Sequence, residues 1–228
     1  YNLVVVDSIQ TLSLNDISSA PCSVSQITNS ANVIIRAAKS ANIAVILVGH
    51  VTKEGSIAGP KVLEHLVDVV LNFEGDRYGG FRVVRAQKNR YGSTNEAAIF
   101  EMDEDGLRIV KNPSASLLAE RQNLDGSIVL ATLEGARPLL VEIQALVNQT
   151  NFGYPKRAAS GFDLNRLNLL VAVLEKRTKL SLADKDIYVN VVGGLKLSDP
   201  AADLAVAMAV ASASAGRSLG DGAVVFGE

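Results

Sequence analysis

The chain has 228 residues, 48% hydrophobic and 20% charged, which marks a globular protein and excludes wholesale disorder. Its 22 Lys and Arg against 24 Asp and Glu leave a net charge of −2, which excludes a polycation that coats nucleic acid or membrane. The single cysteine, Cys22, can form neither an internal disulfide nor a cysteine-rich zinc site, and no apolar stretch approaches the roughly 20 residues of a spanning helix.

In chain order, the first half reads as strands alternating with helices. Leu3–Val6 is a β-branched run, the pattern of a strand buried on both faces. Apolar residues at Val24, Ile27, Ala31, Ile34, Ile35 and Ala38 predict a helix over 23–41. Ile43–Val48 reads as a second strand, Pro60–Leu66 as a short helix, and Val67–Phe73 as a third strand. This order implies a right-handed crossover and a mostly parallel sheet. After Gly79-Gly80 come short strands at Phe81–Ala86, Ala97–Met102 and Leu107–Val110, with a hairpin signal at Asp105-Gly106. They predict an antiparallel extension on the sheet edge.

Residues 112–126, rich in Pro, Ser, Asn and Gly, read as a domain boundary. Beyond it, strands are expected at Ser127–Leu133 and Leu139–Gln144, and a basic loop around Lys156-Arg157. A helix from Asp163 to Arg177 has Asp163 as N-cap and Arg166, Lys176 and Arg177 pointing outward. A strand at Ile187–Val192 ends at Gly193-Gly194, and an Ala-rich helix spans Asp199–Ala213. The expected fold is thus an α/β half followed by an α+β half. The chain opens at Tyr1 inside one apolar run and stops at Glu228 just after another, as an interior stretch of a longer protein would. No signal peptide opens it, which with the lone cysteine points to a reducing, soluble compartment.

Several residues carry chemistry. An apolar strand ending in Asp7, followed by Ser8, is a Walker B arrangement: the strand holds a carboxylate where ligands meet a parallel sheet. There it can orient magnesium beside nucleotide phosphates; alternatively Asp7 caps the next turn. His50, after Leu47-Val48-Gly49, can report on a γ-phosphate or simply hydrogen-bond at a strand end. The loop Thr52–Lys61, with Lys53, Ser56 and Lys61, suits phosphodiester contact or is an ordinary surface loop. Arg77, Arg82, Arg85, Lys88 and Arg90 form a basic run without an acid between Asp76 and Glu96. Lys88 and Arg90 sit two apart, so they share a face if the strand continues through them; such a pair can neutralise transition-state charge on a neighbour's nucleotide, or make a solvated edge. Arg121, Arg137, Lys156, Arg157 and Arg166 line a DNA channel or a solvated face. Both histidines, His50 and His65, lie in the first half, which speaks against a Ser-His-Asp hydrolase built on Ser160, Ser181 or Ser198.

The stretches Val-Gly-His-Val-Thr-Lys-Glu-Gly-Ser-Ile-Ala-Gly-Pro-Lys-Val-Leu-Glu-His (48–65) and Lys-Asn-Arg-Tyr-Gly-Ser-Thr-Asn-Glu (88–96) resemble the RadA (Sms) family of bacterial DNA repair proteins. So does Asn-Val-Val-Gly-Gly-Leu-Lys-Leu-Ser-Asp-Pro-Ala-Ala-Asp-Leu-Ala from Asn190 onward. The family usually has Phe where Tyr91 stands, and Gly where Cys22 stands.

The resemblance implies a RecA-like ATPase core over 1–112, a linker over 113–126 and a Lon-protease-like domain over 127–228. It implies a hexameric ring that binds ATP and magnesium and migrates recombination branches along single-stranded DNA, alongside a RecA-type recombinase. By position, Asp7 and Ser8 match the magnesium and nucleotide site, His50 the sensor, and Lys88 and Arg90 the pair that reaches the neighbouring subunit's ATP. Loops 13–23 and 52–60 match DNA-facing loops. The family's zinc finger, phosphate-binding loop and catalytic glutamate would precede Tyr1, so zinc is expected only there and the chain alone should not hydrolyse ATP. Ala201 stands where a Lon protease has its serine, and the Lon lysine would follow Glu228, so no peptidase activity is expected. A bacterial cytoplasm, or an organelle of bacterial ancestry, fits. The competing readings are a non-catalytic DNA-binding and ring-assembly scaffold and a Lon-type Ser-Lys peptidase.

Overall fold

The computed structural model describes residues 1–50, 60–75, 80–151 and 153–228. It resolves into two compact units, Tyr1–Leu71 with Ala86–Thr94 and Asn72–Arg85 with Asn95–Glu228.

In the first unit the β-branched run at the start forms β1 (Leu3–Asp7). It pairs in parallel with β2 (Ala44–Val48), Leu3 opposite Ala44 and Asp7 opposite Val48. The crossover is α1 (Val24–Ala41), as its periodicity predicts. The Ser23 hydroxyl accepts the Gln26 N–H at 3.3 Å to cap its start. Asn42, in the left-handed region at φ 53°, ends it. Ile27 and Ala31 of α1 pack with Ile9, Leu63, Ile35 and Leu47 in a small apolar cluster. The helix expected over 60–66 is shorter, α2 (Pro60–Leu63), because the Leu66 N–H turns back to the Leu63 carbonyl at 2.9 Å.

Two expectations are corrected here. The strand expected to be buried on both faces is open: Leu3 is 51%, Val5 57% and Ile46 51% exposed. Among the described residues this sheet has two strands, and these apolar side chains have no layer packed over them. The expected third parallel strand, β3 (Val69–Gly75), instead lies beside β4 (Phe81–Asn89), in a sheet ordered β3-β4-β5-β6. A parallel neighbour needs a crossover of about a dozen residues, and only residues 76–80 separate these strands.

In the second unit, β5 (Ala97–Asp103) is antiparallel to β4, and β6 (Gly106–Ile109) to β5. The turn is Glu104-Asp105, and Gly106 leaves it at φ +115°. The expected antiparallel extension is therefore present. Residues 112–126, expected as a linker, contain α3 (Pro113–Leu118). The Asn112 side chain caps it at 3.2 Å on the Ala115 N–H, and Leu117 is buried. Val83, Ile99 and Val110 share one apolar cluster with Leu117, Ile128, Leu130 and Ile143. Consequently the compact units part within β3 and β4.

A five-stranded sheet orders as β11-β7-β8-β10-β9. Its strands are β7 (Ser127–Glu134), β8 (Arg137–Gln149), β9 (Arg157–Ser160), β10 (Lys185–Val191) and β11 (Val224–Val225). β8 is antiparallel to β7 and β10; β9 runs parallel to β10, and β11 to β7. β9 corrects the expected basic loop. Its Ala158-Ala159 core has weak strand propensity, and pairing with Tyr188 and Val189 makes it a strand.

Two helices complete this unit. α4 (Leu164–Arg177) starts at Asp163, whose carboxylate accepts the Arg166 N–H at 2.8 Å. α5 (Ala202–Ala215) buries Ala202, Ala205, Val206, Ala209 and Val210 completely, its small residues allowing close approach. Arg166, expected outward, instead lies 2.6 Å from the Asp203 carboxylate on α5, the side chains 23% and 13% exposed. Its guanidinium also sits 5.8 Å over the Phe162 ring. Arg166→Ala strands Asp203 and removes this stacking, so it should lower stability by about 2 kcal/mol. A urea midpoint that does not move would contradict this.

Candidate functional site

β1 and β2 run side by side in register, so their carboxyl ends reach the same sheet edge. Asp7 closes β1 and His50 follows β2 by two residues. Asp7 Oδ1 lies 3.9 Å from His50 Nε2, with side chains 69% and 70% exposed. At that distance and exposure the pair contributes less than about 1 kcal/mol. Both groups are therefore open to a ligand. Ser8 is buried, and its carbonyl accepts from the Thr11 hydroxyl at 2.8 Å, fixing the turn Ile9–Thr11.

Among the described residues no group of three His, Cys, Asp or Glu side chains could hold a metal. The lone open carboxylate of Asp7 fits magnesium, which keeps several waters and takes one or two carboxylates beside phosphates.

The basic run is less free than its sequence implies. Lys88 Nζ donates to the carbonyls of Glu64 at 2.6 Å and Val67 at 2.8 Å. Arg90 Nη1 donates to Asp68 at 2.9 Å, and its backbone N–H to the Asp68 carbonyl at 3.1 Å. Both cations are thus held by their own chain. In the second unit, Arg85 bonds Glu74 at 2.5 Å and Glu134 through two nitrogens. The Glu134 hydrogen bond, with the charges of Glu134 and Glu74, holds its pKa above the ordinary arginine value against the opposing effect of burial. Arg82 Nη1 donates to the Phe81 carbonyl at 2.9 Å, and Arg77 lies outside the described residues.

Lys53 and Ser56, with loop 52–59, also lie outside them. Lys61 is exposed on α2. Lys156 is exposed, and its backbone N–H donates to Asp186 at 2.7 Å. Arg157 is half-buried and turns to α4, where Nη1 donates to Asn168 at 3.3 Å. Ala201 precedes α5, its N–H bonded to Asp199 at 3.0 Å. It lines a shallow cavity of about 490 Å³ with Thr132, Pro138, Leu139 and Phe226, and offers it only a methyl group.

Residue-type reasoning missed two glutamines. Gln26, buried on α1, bonds four backbone groups of loop 13–23. The Gln10 side chain donates to the His50 carbonyl at 3.2 Å, while the Gln10 backbone carbonyl accepts from Cys22 Sγ at 3.2 Å. Cys22 adopts φ +63°, which accounts for an expected glycine there. A polar residue in a first helical turn ordinarily faces water, so periodicity held no sign of Gln26.

The architecture is that of a mixed α/β protein with parallel and antiparallel sheets, presenting a carboxylate and an imidazole at a parallel strand edge. The chain is 56% identical over 212 residues, 92% of its length, to the DNA repair protein RadA of Bacillus subtilis. It is 52% identical over 227 residues to that of Halalkalibacterium halodurans, and 48% over all 228 to that of Helicobacter pylori strain 26695. These matches cover 46%, 50% and 51% of the relatives, so the chain spans about half the length of the curated relatives it matches. Over the part that it spans, the chain is RadA-like throughout, and the resemblance carried by its motifs is borne out. No protein-family model matches it. A crystal structure of the RadB recombinase overlaps at TM-score 0.36 and 21% identity, covering 49% of this chain and 52% of that one, too loosely to bear on the fold. No helix among the described residues is long and apolar enough to cross a membrane.

Proposed function

We propose that the chain is part of a recombinational repair protein, a DNA-dependent ATPase that migrates branches along single-stranded DNA. In this reading residues 1–112 belong to a RecA-like core and 127–228 to a Lon-like domain without peptidase activity, joined through 113–126. The protein works as a homo-oligomeric ring, hexameric by resemblance, alongside a RecA-type recombinase. The observation that carries the reading is Asp7 and His50, both open, at the adjacent ends of two parallel strands.

Asp7 would hold magnesium through its exposed carboxylate at the end of β1, next to the Ser8–Thr11 turn. Magnesium, when bound with ATP, would neutralise charge on the phosphates. His50 donates a hydrogen bond to a γ-phosphate oxygen and so distinguishes the nucleotide with that phosphate from the one without it. Lys88 and Arg90 exchange their internal partners for the phosphates held by a neighbour. Lys53, Ser56, Lys61, Lys156 and Arg157 contribute phosphate contacts to DNA.

In the full-length protein, Asp7→Asn keeps the size of the side chain and removes its charge. It should lower magnesium-dependent ATP hydrolysis about 10–100-fold while the thermal midpoint stays put. A wild-type rate at subsaturating magnesium would sink the assignment.

A further inference from the structure

We propose that Gln26 is the positioning residue that gives loop 13–23 its DNA-binding shape. The inference rests on the reading of that loop as DNA-facing. Gln26 lies in the first turn of α1 and is 2% exposed. Its Oε1 accepts the Leu14 N–H at 2.9 Å. Its Nε2, with two N–H groups, donates to the carbonyls of Ile17 at 3.0 Å and Ser19 at 3.1 Å, and shares one of these hydrogens with the Leu14 carbonyl at 3.3 Å. One side chain thereby stands in for the strand or helix partner that this segment lacks.

The requirement is for an amide. Buried backbone groups need partners of the opposite kind, and here one N–H and three carbonyls converge on one side chain. Glutamate has the same shape, but would aim a carboxylate oxygen at the carbonyls of Ile17 and Ser19. Methionine has the same length and no hydrogen bonds to give. The clamp holds Leu14, Ile17 and Ser19 half-buried and leaves Ser13, Asn15 and Ser18 exposed, alongside Asp16. Hydroxyl and amide groups of this kind contact phosphates and sugars. A loop already shaped need not be ordered at the moment of binding, and that saving goes into affinity.

The test compares Gln26→Met and Gln26→Glu with wild type in the full-length protein. Hydrogen exchange at the Leu14 amide should accelerate in Gln26→Met, which leaves that N–H without an acceptor, whereas Gln26→Glu keeps the acceptor and loses the donors to the Ile17 and Ser19 carbonyls. The oligo-dT concentration that half-saturates ATP hydrolysis should rise about tenfold, equivalent to one or two lost hydrogen bonds. The maximal rate and the DNA-free rate should stay within about twofold, since the loop, not the nucleotide edge, has changed. Two variants of different polarity keep the result readable if one of them fails to fold. Faster exchange with an unchanged half-saturating concentration would overturn the proposal and leave the DNA reading of the loop intact. A wild-type protein that shows no response to oligo-dT would sink that reading, and the proposal with it.

Discussion

Replacing Lys88 and Arg90 together by alanine should slow DNA-stimulated ATP hydrolysis by the full-length protein roughly 1,000-fold, the scale of losing cations that act on a transferring phosphoryl group. In the structure Lys88 lies near the end of β4 and Arg90 directly follows that strand, while their partners Glu64, Val67 and Asp68 lie together between α2 and β3. These contacts hold the cations ready without committing them. Arg90 is half-exposed, and its ion pair with Asp68 is of the weak surface kind. Lys88 gives up two carbonyl bonds to move, so it needs the stronger pull of a triphosphate. Because Lys88→Ala also leaves two carbonyls without their donor, a plain loss of rate could reflect altered structure. Under the proposed ring assembly, mixed oligomers separate the two causes. Subunits carrying Lys88→Ala and Arg90→Ala retain Asp7, and subunits carrying Asp7→Asn retain the cations. If the cations act across the interface, mixing the two impaired proteins gives more hydrolysis than the sum of the two alone. Mixtures no more active than that sum would exclude action in trans.

Gly126→Ala should destabilise the second unit by about 3–4 kcal/mol, among the larger effects of any single change. Gly126 enters β7 at φ +78°, where an L side chain is strained. A Cβ there would stand 2.1 Å from the Ala145 carbonyl oxygen, a backbone atom that cannot step aside. The same residue accepts the Ala145 N–H at 2.8 Å and donates to the Ser212 hydroxyl at 2.9 Å. Ser212 in turn donates to the Arg217 carbonyl at 2.6 Å. Moving Gly126 therefore strains the β7–β8 ladder and the end of α5 together. Gly216→Ala is the control: its φ is +60°, but nothing lies within 4 Å of the added carbon. It should lose only the left-handed penalty, about 1–2 kcal/mol. Denaturant midpoints that rank the two the other way would refute the close-approach argument.

How much of this was legible from residues alone depended on the kind of signal. The β1–α1–β2 crossover was, because apolar spacing and the Ser23 cap are local patterns. Asp7 and His50 were, because a strand end dictates where its last polar residue goes. The partners of Lys88 were not, since they are backbone carbonyls of Glu64 and Val67, which carry no side-chain signature. Arg166 read as outward because its partner, Asp203, lies on a helix distant in sequence. The composition of 112–126 suggested a linker, yet Asn112 and Pro113 form an N-cap and first helical position. The local signal for α3 was present, and the bulk composition masked it.

The uncovered pair β1 and β2 bears on how this chain behaves in a tube. Among the described residues each strand has a partner on one side only, and Leu3, Val5 and Ile46 are more than half exposed. Unpaired strand edges with apolar side chains recruit further strands. Association through this edge should therefore rise with protein concentration. Dilution, a masking detergent or an added flanking strand will govern its shelf life, whatever the melting temperature of the larger unit.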